Sequence, residues 1–139
     1  MLQRFADEKV EFLLVGGYAM AAHGHPGSTR NIDFRVNTTS ENSSRVYTAL
    51  ARLSAPVHQI DEQDFAVPGN VFQIGVAPRR IDVISSIKGV DFPDCIRRAE
   101  IVSLSGVSVP VISRDDLSRN KRATGRPQDL VDAEILEKR

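Results

Sequence analysis

Three observations predict an α/β (α+β) domain. Residues 12–15, Phe-Leu-Leu-Val, form a continuous apolar run, as expected of a strand covered on both faces. Residues 31–36, Asn-Ile-Asp-Phe-Arg-Val, alternate polar with apolar, the two-residue period of a half-buried strand. In residues 40–53 the period changes to that of a helix, with Val46, Ala49, Leu50 and Leu53 on one stripe.

The remaining elements follow in order. Residues 2–10 suit a short amphipathic helix with Leu2, Phe5 and Val10 inward. After the first strand the chain breaks at Gly16 and Gly17. Residues 18–23 are rich in helix formers, and Gly24 stands where that helix would stop in the left-handed conformation. Residues 24–30 collect turn formers and lead into the strand at 31–36. Thr38 followed by Glu41 has the form of a capping box for the helix at 40–53. Residues 58–70 have no sustained period and read as a connection, with Asp61, Glu62 and Asp64 as solvated loop charges. Strands are predicted at 72–76 and 80–85, joined by a hairpin-length turn at 77–79, so Asp82 lies inside a strand. Asp91 caps a short helix with Pro93 in its first turn, running to about residue 99. Ser105-Gly106 is a two-residue hairpin signal between strands at 101–104 and 107–112, and Pro110 marks the second as an edge strand. Ser113 with Asp116 resembles a capping box for a helix ending near Gly125. A last helix from about residue 127 carries Leu130, Ala133 and Leu136 inward. Neither an internal repeat nor a low-complexity tract is present.

A chain of 139 residues fits one domain, 1–139. Eighteen basic and eighteen acidic residues balance, so no net field draws nucleic acid, membrane or acidic partners. The single Cys95 has no internal disulfide partner; with no signal peptide, this predicts a cytoplasmic protein in which Cys95 is packing. The longest apolar stretch, residues 12–22, is about half a membrane span and is interrupted by glycines. A soluble protein with no membrane partner is predicted.

Side chains two apart on a strand share a face roughly 6 to 7 Å apart, so Asn31, Asp33 and Arg35 project together while Ile32, Phe34 and Val36 face a core. Asp33 and Asp82, on neighbouring strands, would repel each other unless a cation lay nearby. Without side chains, Gly16 and Gly17 let the backbone approach an anion closely at a helix start. Arg35 shares the Asp33 face and Arg80 the Asp82 face, and each can pair with a carboxylate or a phosphate. His23 and His25 lack the further ligands of a zinc site and are read as turn residues. Arg119, Lys121, Arg122 and Arg126 form a basic cluster without the interleaved aromatics of a single-strand binder.

In order and spacing, the glycine pair, Asn31-x-Asp33 and the later Asp82 resemble the nucleotidyltransferase superfamily related to DNA polymerase beta. Its mark is Gly-Gly or Gly-Ser, then Asp-x-Asp, then a third carboxylate. Residues 116–132, DLSRNKRATGRPQDLVD, are similar to the C-terminal segment of small single-domain bacterial members, including toxin-type ones. The resemblance implies a mixed β-sheet of the nucleotidyltransferase type flanked by helices, with C-terminal helices. It implies transfer of a nucleoside monophosphate from a nucleoside triphosphate to an unidentified hydroxyl acceptor (protein, RNA or small molecule), with Mg2+ or Mn2+. Asp33, Asp82 and Asn31 would be the catalytic set and Asp33 and Asp82 the metal ligands, with Gly16, Gly17, Lys121 and Ser28 on the nucleotide. Lys121 either faces the phosphates or belongs to a solvated basic face.

Asn31 departs from the pattern. It keeps an oxygen but loses a charge, whose raw attraction to a divalent ion is on the order of 10 kcal/mol at an effective dielectric near 20. Dehydration offsets most of this, and a net loss of a few kcal/mol still weakens metal binding or turnover about a hundredfold or more. Three explanations stand: weakened or lost transfer in a natural protein, engineered inactivation, or recruitment of another ligand, with Ser28, Thr29, His23 and His25 in reach. The alternative function is an inactive nucleotidyltransferase-like binding or regulatory module with a partner protein, as in a toxin-antitoxin pair.

Overall fold

The structure, a computed structural model, describes residues 2–25, 31–53, 55–76 and 79–138. These form six strands and six α-helices in the order α1 (Leu2–Asp7), β1 (Phe12–Val15), α2 (Gly16–Ala22), β2 (Asn31–Val36), α3 (Ser40–Arg52), β3 (Val71–Val76), β4 (Arg79–Ile84), α4 (Phe92–Arg98), β5 (Glu100–Leu104), β6 (Val107–Val111), α5 (Arg114–Thr124) and α6 (Pro127–Glu137). Two short 3-10 turns, Val57–Gln59 and Asp64–Ala66, interrupt the connection between α3 and β3.

The strands make one mixed sheet in the order β3-β4-β2-β1-β6-β5. β2 runs parallel to β4 and β1 parallel to β6, while the other neighbours are antiparallel. All four residues of β1 are buried, as its central place requires. Phe12, Leu14, Phe34, Val36 and Val83 turn their side chains to one face, where Phe5 of α1 and the Val46–Ala49–Leu50 stripe of α3 complete the core. Phe5, Phe12 and Phe34 pack edge-on or tilted at centroid distances of 5.3–5.5 Å, geometry that favours aromatic rings beyond their area alone. Alternation puts Leu13, Val15, Asn31, Asp33, Arg80 and Asp82 on the opposite face, which carries the polar chemistry.

Local signals are mostly realised. Asp91 accepts from the Asp94 N–H with Pro93 in the first turn of α4, and Ser113 accepts from the Asp116 N–H at the start of α5. Gly125 ends α5 at φ +70°. Ser105 (φ +51°) and Gly106 (φ +80°) form the tight turn between β5 and β6. β3 and β4 pair as a hairpin from Val76 opposite Arg79; residues 77 and 78 lie outside the described residues.

Four expectations are corrected. The N-cap of α3 is Thr39, whose hydroxyl accepts from the Asn42 N–H, while Glu41 instead pairs with Arg45 one turn on. β6 is interior and β5 is the edge: Pro110 lies one residue before the single β1–β6 pairing, Leu14 opposite Val111, so its missing donor marks where that ladder begins. In α6 the inward stripe is Asp129, Ala133 and Leu136, leaving Leu130 exposed, because Asp129 turns inward to meet Lys121 of α5 and Arg126 at the start of its own helix. Asp116 closes no capping box; its buried carboxylate accepts two hydrogen bonds from Arg98, at 2.9 and 3.0 Å, and one from Arg119 at 2.8 Å. Among the described residues, no helix is long and apolar enough to cross a membrane.

Candidate functional site

The parallel register of β2 and β4 sets Asp33 directly beside Asp82 and Asn31 beside Arg80. β1 pairs Val15 with Asp33, so the bend after β1 reaches the same point from the other side. There Gly16 adopts φ +68°, and a methyl group on it would collide with Asp33 Oδ2 and lie 3.1 Å from Asp33 Cγ. Only glycine satisfies both conditions.

Burial, first, then the charge of Asp82 and a hydrogen-bonding contact with it, push the Asp33 carboxyl up to about 6, against the opposing charges of Arg80 and Lys121. Asp82 Oδ1 is buried and has no hydrogen-bond partner, and Arg80 Nε, 3.4 Å away, has none either. The pair attracts through space without completing a hydrogen bond. The two carboxyl groups are thus adjacent and partly buried, and the charge of one makes ionisation of the other harder. Asp33 and Asp82 are the two carboxylates that could together hold a cation. Among the described residues, no group of three or more His, Cys, Asp or Glu side chains is arranged to hold a metal by itself.

Beside Asp33 opens a cavity of about 580 Å³, within the usual range for small-molecule sites. Val15, Gly16, Gly17 and Asp33 form one wall, Ile84, Ser86, Ile87 and Lys88 a second, and Asn120, Lys121, Thr124, Arg126 and Asp129 the third. Asp33 thus faces the cavity, whereas Asp82 and Asn31 are not among its lining residues. The convergence of both acids on one cavity is realised through Asp33 alone, with Asp82 one strand behind it.

Lys121 is not a solvated surface lysine. Its Nζ lies 3.0 Å from Asp132 Oδ2 and 3.4 Å from Asp129 Oδ1, its side chain is 13% exposed, and it lines the cavity. The supposed basic face is likewise internally neutralised: Arg119 pairs with Asp116, Arg122 with Glu137 and Arg126 with Asp129. Arg35 stands away from the carboxylates, donating to the Val36 carbonyl with its guanidinium 5.6 Å from the centre of the Phe92 ring. Burial there lowers its pKa. His23 bonds the Ile112 carbonyl at 2.8 Å and lies 3.2 Å from Glu100, tying the end of α2 to the β5–β6 side of the sheet. Cys95 is buried, and burial foremost, with Asp116 nearby, pushes its thiol up to about 12, as suits packing. Ser28 and Thr29 lie outside the described residues.

The second wall carries no motif in the sequence. Its signal was Gly89, at φ +87°, where a Cβ would fall 2.6 Å from Ala123 Cβ and 3.0 Å from the Arg119 carbonyl. That glycine lets the loop after β4 close against α5, bringing Ser86, Ile87 and Lys88 to the cavity.

The order and directions of the strands, with the helices that flank them, are those of a nucleotidyltransferase-like fold. The chain is similar over 99% of its length, and over 86% of that chain, to the crystal structure of a Thermotoga maritima protein provisionally described as a nucleotidyltransferase, with 16% identity and a TM-score of 0.57. No family model and no curated protein sequence matches the chain.

Proposed function

We propose that the protein is a metal-dependent nucleotidyltransferase, binding a nucleoside triphosphate with Mg2+ or Mn2+ and moving its nucleoside monophosphate to a hydroxyl acceptor, weakened by Asn31 in place of the first carboxylate. The observation that carries this reading is the register pair Asp33 and Asp82 beside a glycine-walled cavity. The orphaned Asp82 Oδ1 and the raised Asp33 carboxyl fit a divalent cation. Magnesium characteristically takes one or two carboxylates and completes its shell with waters and substrate phosphates, so two acids suffice.

The reaction joins the acceptor oxygen to the α-phosphorus and breaks the bond to the bridging α–β oxygen, releasing pyrophosphate and the hydroxyl proton. When bound, the cation supplies charge stabilisation to the attacking and leaving oxygens. Gly16 and Gly17 admit the phosphates close to the backbone at the start of α2. Lys121, held in place by Asp129 and Asp132, offers an ammonium donor at the cavity wall without a mobile side chain having to be ordered on binding. Asp33 contributes only when deprotonated. The acceptor is a protein, RNA or small-molecule hydroxyl, and residues 1–139 act as one nucleotidyltransferase-like domain in the cytoplasm.

Transfer of radioactivity from α-labelled triphosphates to an acceptor, lost in Asp33→Ala, tests this reading; the absence of labelling with any nucleotide under magnesium or manganese contradicts it. A second reading is favoured by Asn31 itself: an inactive module that retains the fold and serves a partner protein, as in a toxin-antitoxin pair. Activity appearing only in Asn31→Asp would select it.

A further inference from the structure

We infer that Lys88 grips the phosphate tail of the incoming nucleotide, a role no motif assigns and one that rests on the nucleotide reading above. Lys88, Lys121 and Arg126 are the cations among the cavity-lining residues. Lys121 and Arg126 already have carboxylate partners, Lys121 with Asp129 and Asp132 and Arg126 with Asp129. Lys88 has no ion pair among the described residues. A phosphate reaching Lys121 or Arg126 must compete with a carboxylate for the charge, whereas one reaching Lys88 has no carboxylate to displace.

The backbone beneath Lys88 is anchored. Asn120 Nδ2 donates to the Lys88 carbonyl at 2.9 Å, and the adjoining Gly89 fits against α5 where no larger residue would. Both anchors belong to the helix that carries Lys121. The free ammonium therefore stands on a backbone fixed relative to Lys121, while its own stem is exposed and able to follow a ligand. A compact, rotatable, triply donating ammonium suits the terminal phosphates, which vary in position, better than it suits a planar base. Lys121, held by two carboxylates, and the exposed Lys88 stand on different walls of the cavity, so a triphosphate can meet a cation that a monophosphate does not reach.

Calorimetric titration of magnesium ATP and of AMP into wild type, Lys88→Met, Lys88→Arg and Lys138→Met tests this. A charge-assisted hydrogen bond predicts about a tenfold or greater loss of ATP affinity in Lys88→Met, with AMP affinity unchanged. Lys88→Arg retains most of the ATP affinity and Lys138→Met, outside the cavity, all of it. Rising salt narrows the gap between wild type and Lys88→Met as the exposed charge is screened. Thermal unfolding should be the same in all four proteins. Equal ATP affinity in wild type and Lys88→Met overturns the inference and leaves the nucleotide reading standing, as does an equal loss for ATP and AMP. Failure of wild type to bind any nucleoside triphosphate removes the reading and the inference with it.

Discussion

Gly16 and Asp33 are fitted to each other: the carboxylate occupies the space that a side chain on Gly16 would take, at a backbone angle that already favours glycine. Gly16→Ala should cost about 1–3 kcal/mol in stability from the left-handed conformation and should also displace Asp33. Gly106→Ala supplies the comparison, since Gly106 has φ +80° with nothing within 4 Å of its added Cβ. Denaturant melts should show both variants weakened, while nucleotide titration should show binding lost only in Gly16→Ala. Retained binding there would mean that the Asp33 position is immaterial.

Asp33 opposes folding when ionised. Its carboxyl rises from 3.8 to about 6 on folding, through burial and the nearness of Asp82. Between those values the folded chain holds more protons than the unfolded one, so stability falls as pH rises through that window. Asp33→Asn should therefore be more stable than wild type at pH 7, with the advantage vanishing below about pH 4, while its metal-dependent nucleotide binding is abolished. In wild type the same titration makes magnesium-dependent binding weaken as pH drops through about 6, because the cation must displace the proton. Chemical denaturation across pH checks the first part and titration across pH the second.

Asp116 works in the opposite sense. Burial alone would raise its carboxyl, but hydrogen bonds and charge from Arg98, with Ser113 and Arg119, outweigh burial and hold it below the usual range. Its stabilisation is present above about pH 4 and is lost as pH falls through the depressed value. Asp116→Asn should cost about 2 kcal/mol at pH 7, the scale of a charge-assisted hydrogen bond. The deficit should shrink in strong acid, and nucleotide affinity should be untouched because Asp116 lies outside the cavity wall. A deficit constant with pH would contradict the ion-pair account.

Asn31→Asp supplies a third carboxylate on the face of Asp33 and Asp82. The added charge should tighten magnesium-dependent nucleotide binding about a hundredfold, as a few kcal/mol of recovered attraction implies. Calorimetry on both proteins measures this. Unchanged affinity would place the weakness of the site elsewhere.

Local patterns carried the elements well because each is settled by neighbours in the chain. The alternation of residues 31–36, the Ser113 and Asp91 caps and the Ser105-Gly106 turn all depend on groups a few residues apart. The α3 cap, one residue later than its pattern suggests, is a local exception, and the other departures lie where distant partners decide. Pro110 looked like an edge residue because the sequence does not reveal that β1 pairs only beyond it. Leu130 has an inward spacing by hydrophobicity alone, but Lys121 of α5 and Arg126 at the helix start draw Asp129 in and turn Leu130 outward. Arg35 follows the alternation of its strand, but its guanidinium meets Phe92, nearly sixty residues on. At the site, the acids were legible from spacing and resemblance. Lys88 was not, since its loop reaches the cavity only through the fit of Gly89 to α5.

Calorimetric titration of nucleoside triphosphates, with and without magnesium, into wild type, Asp33→Asn and Asp82→Asn tests most directly whether these two carboxylates form a nucleotide-metal site. Saturable binding in wild type that requires magnesium and disappears in both variants is the predicted result. No binding of any triphosphate by wild type, or equal binding by all three proteins, would contradict it.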